Sequence, residues 1–494
     1  MGFFSIVCGA GLYMMVWYIS PDVNWGSASE GYKYVQAHRS VLNLANTRTH
    51  VKNFRPSPLI LIPFDMEDDD QNINSNASGE DLQKTVRTMN GVAKNNDDME
   101  TSLPQSDVTE SLLLLAKDLK KGHGLLVVGH VMVDEHHNND QIDMDMNAMN
   151  AMNSFPTTPS ASTEDETKSL ASTSAGSEPP PVNRRSSFDA GHRQPYKNLY
   201  LLSTKCQTQI QNHLNKLNIA GFSNVVRAPS EYIGATALMQ STGLGKLKTN
   251  TLVLSFPENW HERDHTLNAG FVGILGDAFD NGYGVVILRS KGKSYQAARD
   301  TEDRPIDVWW NADDGGLTLL LPHLIGKSQA WRRHKSPMRV MSSLREEDLA
   351  SSASEIGRIQ KLVEKFRIGA TVRHVLLNHM NTPGKQEWSD FHLKYNGSEK
   401  GSGASGTGSG SNGMSKYEEK MSKERVRFGE IILKESRGSR LIVITCPVPR
   451  RDKQSNPKYI RYYLACLDAL SVASKHSPVM MVHGNQEDAM TFYT

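Results

Sequence analysis

The feature that most constrains this chain is a repeated alternation of short, continuously apolar runs with longer segments of helical periodicity. Each run is long enough for one β-strand and lacks the polar residue at every second position that marks a half-exposed strand. Strands of this kind are buried on both faces, as in a parallel sheet covered by helices on either side. The sequence therefore predicts an α/β fold.

The predicted elements form two successive cycles. Strands are predicted at 59–64, 124–133, 224–228, 251–256 and 283–289 in the first cycle, and at 306–310, 338–342, 371–377, 440–445, 479–482 and 489–493 in the second. Helices are predicted at 109–121, 199–219, 231–242, 268–279, 316–325, 352–366, 426–434 and 458–472. Two successive parallel-sheet α/β subdomains account for this order, the first over 58–300 and the second over 301–494.

Three polar segments interrupt the pattern, at 66–105, 134–195 and 396–415. The first is acidic and rich in Asn, the second is rich in Ser, Thr, Asn, Asp and Met, and the third is nearly pure Gly and Ser. Such segments cannot bury enough apolar surface to offset the entropy that is lost on ordering. We therefore predict that they are disordered insertions in loops.

The N-terminal segment 1–20 is uncharged and largely apolar, with Trp17 and Tyr18 where an interfacial aromatic belt would lie. It predicts a partial transmembrane helix, and a buried helix of a soluble domain is the alternative. Basic residues follow the segment and none precedes it, which places everything after about residue 20 on the cytoplasmic side. Segment 21–57 is predicted to hold a membrane-proximal amphipathic helix, from Ser27 to Ala45, and a linker.

The composition excludes several classes of function. The formal net charge is +1, so no bulk electrostatic field favours a nucleic acid partner. The four cysteines lie far apart without CxxC spacing, which argues against a disulfide framework and against a zinc site.

Two motifs have the form of catalytic or metal-binding patterns. His261 to His265 matches H-E-x-x-H, a pattern that needs both histidines on one face of a buried helix. The match directly follows a predicted strand in a charged segment, so a chance match in a loop is favoured. Asp313 and Asp314 precede a predicted helix, where acidic residues act as N-cap and dipole partners. We predict no catalytic residue, no metal site and no enzyme.

Several strings resemble the C-terminal region of the cation–chloride cotransporter family. They cover nearly all of the sequence predicted to be ordered and occur in the family's order: PDVNWG at 21–26, HVKNFRP at 50–56, GLLVVGH at 124–130, GLGKLKTNTLVL at 243–254, IDVWW at 306–310, DDGGLTLLLP at 313–322, MMVHGN at 480–485 and TFYT at 491–494. The first, second, sixth and last of these strings are similar to the sodium-dependent branch, the Na-K-Cl and Na-Cl cotransporters.

The resemblance implies a cytosolic regulatory and dimerisation domain of an electroneutral symporter that moves Na⁺, K⁺ and Cl⁻. It implies a homodimer that packs under the transporter's membrane domain and is acted on by regulatory Ser/Thr kinases. The helices that form the family's ion path are missing from this chain, so we expect segment 1–20 to be the last transmembrane helix and Met1 to be a truncated start.

The resemblance also implies a nucleotide, because some family members hold one in the first subdomain. Parallel α/β sheets bind ligands beyond the carboxyl ends of their strands, and ATP or ADP is the expected cofactor. The candidate residues are Gly129, His130, Gly243, Lys246 and Lys248, and turn architecture is the alternative explanation for the glycines. The alternative function is a membrane-anchored, nucleotide-binding module of the universal-stress type.

Ser187 is a candidate phosphorylation site inside the insertion 134–195. Arg184 and Arg185 precede it at the two positions that a basophilic kinase recognises through its acidic pocket. Phosphorylation there would add negative charge to a loop that is predicted to be disordered, and would dock or release it.

Overall fold

The computed structural model describes residues 2–19, 27–47, 54–63, 105–120, 124–133, 193–301, 303–310, 316–333, 336–345, 357, 359–365, 367–377, 382–396 and 414–485. Contacts divide these residues into two units. One unit contains 1–50 and 243–248, and the other contains 51–242 and 249–494.

Twelve strands have defined bounds in the described residues. They are β1 (Pro58–Leu61), β2 (Val127–Val133), β3 (Phe222–Ala228), β4 (Gly243–Leu244), β5 (Leu247–Lys248), β6 (Thr251–Ser255), β7 (Gly284–Arg289), β8 (Ile306–Trp309), β9 (Met338–Arg345), β10 (Ala370–Leu377), β11 (Leu441–Thr445) and β12 (Val479–His483).

The helices are α1 (Gly2–Ile19), α2 (Ala28–Asn46), α3 (Gln105–Lys120), α4 (Arg193–Lys216), α5 (Glu231–Ser241), α6 (His265–Asp280), α7 (Tyr295–Arg299), α8 (Leu317–Gly326), α9 (Gln329–Arg332), α10 (Lys385–Asn396), α11 (Lys416–Glu435) and α12 (Pro457–Leu470). Local sequence explains several of their starts. Ser415 and Glu418 form a reciprocal capping box at α11, and Asn456 caps α12, where Pro457 occupies the first turn.

Ten of the strands form one sheet in the second unit, in the order β10-β9-β8-β11-β12-β7-β6-β1-β2-β3. The sheet consists of two half-sheets. The first contains β1, β2, β3, β6 and β7, and the second contains β8 to β12. When the strands of each half are counted along the chain, both halves have the same spatial order: third, second, first, fourth, fifth.

All neighbours within each half-sheet are parallel. The two halves join through an antiparallel pair, β7 with β12, in which Val479 lies opposite Arg289 and His483 lies opposite Val285. The carboxyl ends of the strands in one half therefore point the opposite way from those in the other half. We call the β7–β12 junction the seam.

Each face of the sheet carries its own hydrophobic core, because successive residues of a strand point to opposite faces. Leu59 belongs to one core and Ile60 to the other, both without solvent exposure. The first core includes side chains of α5, α6, α11 and α12, and the second those of α3, α4 and α8. Burial of one such side chain contributes about 1.5–3 kcal/mol.

The predicted α/β class with a largely parallel sheet is confirmed. The predicted strands and helices that fall on described residues reappear with boundaries shifted by a few residues, apart from 352–366, where only part is described, and α11, which begins well before its predicted start. The three predicted disordered insertions lie almost entirely outside the described residues, as does the predicted strand 489–493.

The other unit contains α1, α2 and the two-stranded hairpin β4–β5. No helix in the described part of the chain is long and apolar enough to cross a membrane. The prediction of a transmembrane helix within residues 1–20 is therefore not supported.

Candidate functional site at the seam

A cluster of four charged side chains lies at the seam, and we call it the seam cluster. Arg289 is the last residue of β7, and Glu258 follows β6 after a short loop. Asp468 lies in the last turn of α12, and Lys394 lies in the last turn of α10. The first two residues come from the first half-sheet and the other two from helices of the second half, so the cluster ties the halves together.

Arg289 is the centre of the seam cluster, and its side chain is only 3% exposed. Its guanidinium donates to Glu258 through Nε at 3.0 Å and through Nη2 at 2.8 Å. Nη2 also lies 2.6 Å from Asp468 Oδ1, and Nη1 donates to Ser471 Oγ at 2.8 Å. The guanidinium carbon stands 4.5 Å from the ring centre of Phe256. A planar fork of donors suits this multidentate arrangement, which a lysine cannot reproduce.

Asp468 is held between two cations. Oδ1 faces Arg289 and Oδ2 accepts from Lys394 Nζ at 2.9 Å. Burial raises the pKa of this carboxyl, but the charges of Arg289 and Lys394 outweigh that effect and lower the pKa to about 2. Burial likewise lowers the pKa of Arg289, and Asp468 and Glu258 reverse this and raise it. Both groups are therefore charged at neutral pH.

A cavity of about 100 Å³ adjoins the seam cluster, with Arg289, Lys394, Phe391 and Asp468 in its lining. Ligand pockets are usually several times larger. The side chains here neutralise one another rather than presenting a nucleophile and a base. The arrangement acts as a charged clamp between the half-sheets.

A second buried charge cluster centres on Asp118 of α3, whose side chain is 3% exposed. Arg299 donates to both carboxylate oxygens, at 3.1 and 3.2 Å. Tyr295 and Trp331 donate to Oδ2 at 3.1 and 3.0 Å. Burial raises the pKa of Asp118, and Arg299, Trp331 and Ser328 offset only part of that rise. We call Asp118, Arg299, Tyr295 and Trp331 the Asp118 cluster.

The first two residues of the predicted nucleotide site lie inside β2, within the sheet. A Cβ on Gly129 would stand 2.8 Å from Leu238 Cδ1 and 3.1 Å from Leu61 Cδ2, so neighbouring side chains already fill this space. His130 is 5% exposed, and its Nδ1 lies 3.1 Å from the carbonyl oxygen of Ile62. The packing accounts for both residues without a ligand.

The other three predicted residues lie on the hairpin β4–β5, in the unit that contains α1 and α2. Gly243 has a φ of 115°, which only glycine adopts readily, and a Cβ there would meet the backbone of β5. Lys246 donates to the carbonyl oxygen of Thr47. The predicted set is thus divided between the two units.

Two other predicted positions lie outside the described residues, namely Ser187 and the pair Asp313 and Asp314. The H-E-x-x-H match does not lie on one helix, because His261 belongs to a turn and His265 is the first residue of α6. Within the described residues no group of three or more His, Cys, Asp or Glu side chains is placed to hold a metal.

Local sequence patterns do not reveal the seam cluster. Arg289 and Asp468 are 179 residues apart; Arg289 ends an apolar strand and Asp468 lies near the end of an amphipathic helix. The sequence does contain one indication of it, a charge at the end of a strand whose other five residues are apolar or glycine. Such a buried charge requires a partner.

Comparison with known proteins supplies the family. The family model described as "Solute carrier family 12" matches residues 190–304 and 291–494, which is more than half of the chain. The chain therefore belongs to solute carrier family 12. The predicted cation–chloride cotransporter resemblance and its sodium-dependent branch are both confirmed.

Individual relatives are members of the same family. "Solute carrier family 12 member 3" of Mus musculus is 31% identical over 313 residues, which covers 57% of this chain and 30% of the relative. "Solute carrier family 12 member 2" of Homo sapiens is 22% identical over 583 residues and covers 98% of this chain and 39% of the relative. The chain thus spans about a third of the length of the curated relatives that it matches.

Among solved structures, the cytoplasmic domain of a prokaryotic cation chloride cotransporter aligns with a TM-score of 0.36 and 10% identity, covering 88% of this chain and 98% of that chain. A putative universal stress protein from Pseudomonas aeruginosa aligns with a TM-score of 0.33 and 7% identity, covering 89% and 99% of the two chains. The family assignment rests on the sequence matches alone.

Proposed function

We propose that this chain is the cytosolic regulatory and dimerisation domain of a sodium-dependent cation–chloride cotransporter. The full-length protein would be an electroneutral symporter that moves Na⁺, K⁺ and Cl⁻ through helices that these residues do not include. The observation that carries the proposal is the family match over 190–494. This match spans the second half-sheet and the strands β3, β6 and β7 of the first half-sheet.

The seam supports a role in regulation. A domain regulates a transporter when its contacts with the transporter differ between the transporter's conformations. A domain that moves as one rigid body can change all of these contacts together. The antiparallel pair β7–β12 and the seam cluster join the two half-sheets in this way. The function proposed for the seam is to keep the two halves in a fixed relation while the domain contacts its membrane partner and its second copy.

Exchange of this domain into a relative tests the proposal. Residues 54–494 would replace the matching region of human solute carrier family 12 member 2, whose alignment covers 98% of this chain. Chloride-dependent ²²Na⁺ uptake would be measured at equal surface abundance. We expect uptake to persist in the chimera and to fall several-fold with Arg289→Met. The matched control is Arg437→Met, an exposed position that is not part of the seam cluster. Absence of uptake in a chimera that reaches the surface would count against the proposal.

Dimerisation is tested on the chimera itself. Two copies with different epitope tags would be co-expressed, and one would be captured in mild detergent. The outer edges of β3 and β10 end the ten-stranded sheet, which gives two surfaces on which a second copy would pack. Recovery of single-tag protein alone would refute dimerisation without refuting a regulatory role.

Kinase regulation through Ser187 is part of the same proposal. Phosphorylation would add about two negative charges to the segment that contains it. Ser187→Ala is expected to abolish kinase-stimulated change in uptake, and Ser186→Ala serves as its neighbouring control. Equal stimulation of both variants would remove Ser187 from the proposal.

A nucleotide in the first half-sheet is a second proposal, which the strand order favours. The order reverses between β1 and β6, and open α/β sheets bind ligands at such a switch point. The packing around Gly129 and His130 does not favour those two residues as ligand contacts. Calorimetric titration of the chain with ATP and ADP is the test, and the absence of heat at millimolar nucleotide would exclude a useful site.

A further inference from the structure

A large open cavity lies in the sheet-containing unit, away from the seam cluster and the predicted nucleotide residues. Its volume is about 920 Å³, near the upper end of the range for ligand pockets. It is bounded by the C-terminal end of α3, the turn 218–220 after α4, the end of α7 and the segment 327–333 around α9. We call it the basic cavity.

The lining of the basic cavity is strongly cationic. Six basic side chains contribute to it: Lys117, Lys120, Arg299, Lys327, Arg332 and Arg333. The two acidic side chains in the lining are Asp118 and Asp300, which leaves an excess of four positive charges. The whole chain has a net charge of only +1. The fold therefore concentrates positive charge here far beyond what the composition supplies.

The acidic groups of the cavity are already engaged. Asp118 is buried and accepts from Arg299, Tyr295 and Trp331. Asp300 accepts from Gln296 Nε2 at 2.9 Å. In the described residues neither carboxylate forms an ion pair with Lys327, Arg332 or Arg333.

Two of the basic residues have a structural explanation of their own. Lys117 Nζ donates to the carbonyl oxygen of Leu217 at 2.7 Å, and Lys120 donates to that of Ala220. These bonds tie α3 to the turn after α4, where cations complement exposed carbonyl groups. Burial lowers the pKa of both lysines, and the charge of Arg299 lowers that of Lys117 further.

Of the other four basic residues, Arg299 pairs with Asp118, and the remaining three have no such explanation. Lys327, Arg332 and Arg333 are exposed, and no ion-pair or hydrogen-bond partner for their side chains occurs among the described residues. Like charges held together in this way repel one another, and a bound anion relieves the repulsion. Arginine in particular forms paired hydrogen bonds with phosphate oxygens.

We infer that the basic cavity binds a small molecule that carries several phosphate groups. An excess of four positive charges over this volume matches clustered phosphates better than a single carboxylate or chloride ion. The same chemistry is offered by a soluble polyphosphorylated compound and by the headgroup of a phosphoinositide lipid. None of Gly129, His130, Gly243, Lys246 and Lys248 lines this cavity, so the site is separate from the predicted nucleotide site.

Calorimetric titration of the full chain with inositol hexakisphosphate tests the inference. We expect saturable binding that weakens as salt is raised, because salt screens exposed charges. The double variant Arg332→Gln/Arg333→Gln should bind about tenfold more weakly or worse. In a parallel experiment the chain is sedimented with phosphatidylcholine vesicles that contain phosphatidylinositol bisphosphate. Binding to the soluble probe alone identifies a soluble ligand, and binding to the vesicles alone identifies a lipid headgroup.

The matched control is Lys434→Gln/Arg437→Gln, which removes two exposed cations outside the cavity. It should bind as the parent chain does. All substituted positions are exposed, and unchanged circular dichroism spectra and melting temperatures would show that each variant folds. Binding to neither probe, or equal weakening in the control and cavity variants, overturns the inference.

Discussion

The seam cluster and the Asp118 cluster each bury one aspartate against one arginine, yet the two carboxyls respond oppositely. The pKa of Asp468 falls to about 2, whereas burial keeps that of Asp118 raised. The difference lies in the cations. Asp468 faces both Arg289 and Lys394, while Asp118 has Arg299 and two neutral donors. With one cation beside it, the effect of burial prevails on the pKa of Asp118, whereas two cations outweigh burial at Asp468.

The largest expected effect is that of Asp468→Asn on stability. The substitution leaves Arg289 buried without its second carboxylate and leaves Lys394 unpaired. Loss of one partner from a buried pair costs about 3–5 kcal/mol in unfolding free energy. Urea unfolding would measure the loss, with the exposed Asp452→Asn as control. If both variants lost the same stability, the seam cluster would not be a clamp.

The next effect is the dependence of stability on pH. The folded pKa of Asp468 is about 2 and its ordinary value is 3.8. Its ionised form therefore stabilises the fold above pH 3.8, and this contribution of about 2 kcal/mol is lost as pH falls toward the folded pKa. The stability difference between the parent chain and Asp468→Asn should shrink as pH falls below about 4. A difference that stays constant over this range would contradict the prediction.

The smallest effect is expected from Asp118→Asn, at about 1 kcal/mol. Arg299 is more exposed than Arg289, 16% against 3%, so water can solvate it when the carboxylate is gone. Because the pKa of Asp118 is raised in the folded state, its contribution to the free energy of unfolding is greatest below pH 3.8. That contribution is lost as pH rises through the pKa of Asp118 in the folded protein. The stability difference should thus follow pH in the opposite direction to that of Asp468→Asn.

Asp118→Asn and Asp468→Asn should also differ in their effect on ligand binding. Asp118→Asn removes a negative charge from the wall of the basic cavity, so inositol hexakisphosphate should bind more tightly, by a few-fold. Asp468→Asn lies outside that cavity and should leave the affinity unchanged. Weaker binding by Asp118→Asn would contradict the cationic character assigned to the cavity.

Sequence patterns predict most of the helices and strands, because the periodicity of a helix or strand depends on residues that are close together in the chain. The apolar run at 251–256 became β6, and the periodic segment 458–472 became α12. Pairing between distant strands is not encoded in this way. The run at 479–482 predicts a strand, but nothing in it indicates that the partner is β7 or that the pair is antiparallel.

The sites were harder to predict for the same reason. The sequence predicts Gly129 and His130 as ligand residues, and that stays a prediction. Their surroundings come from α5, from β1 and from the residue after β1, which the local sequence does not show. The charges of the basic cavity come from four separate segments, and each is unremarkable alone.

The position of β12 at the centre of the sheet has a consequence for synthesis. β7 is synthesised about 190 residues before its partner β12. At translation rates of about 5–20 residues per second, this separation corresponds to roughly 10–40 s. During that interval the first half-sheet has an apolar edge strand with unpaired backbone groups, a template for aggregation. A chain that stops before Val479 keeps that edge permanently. Nonsense mutations before Val479 should therefore damage the folding of the first half-sheet although they leave its own five strands intact.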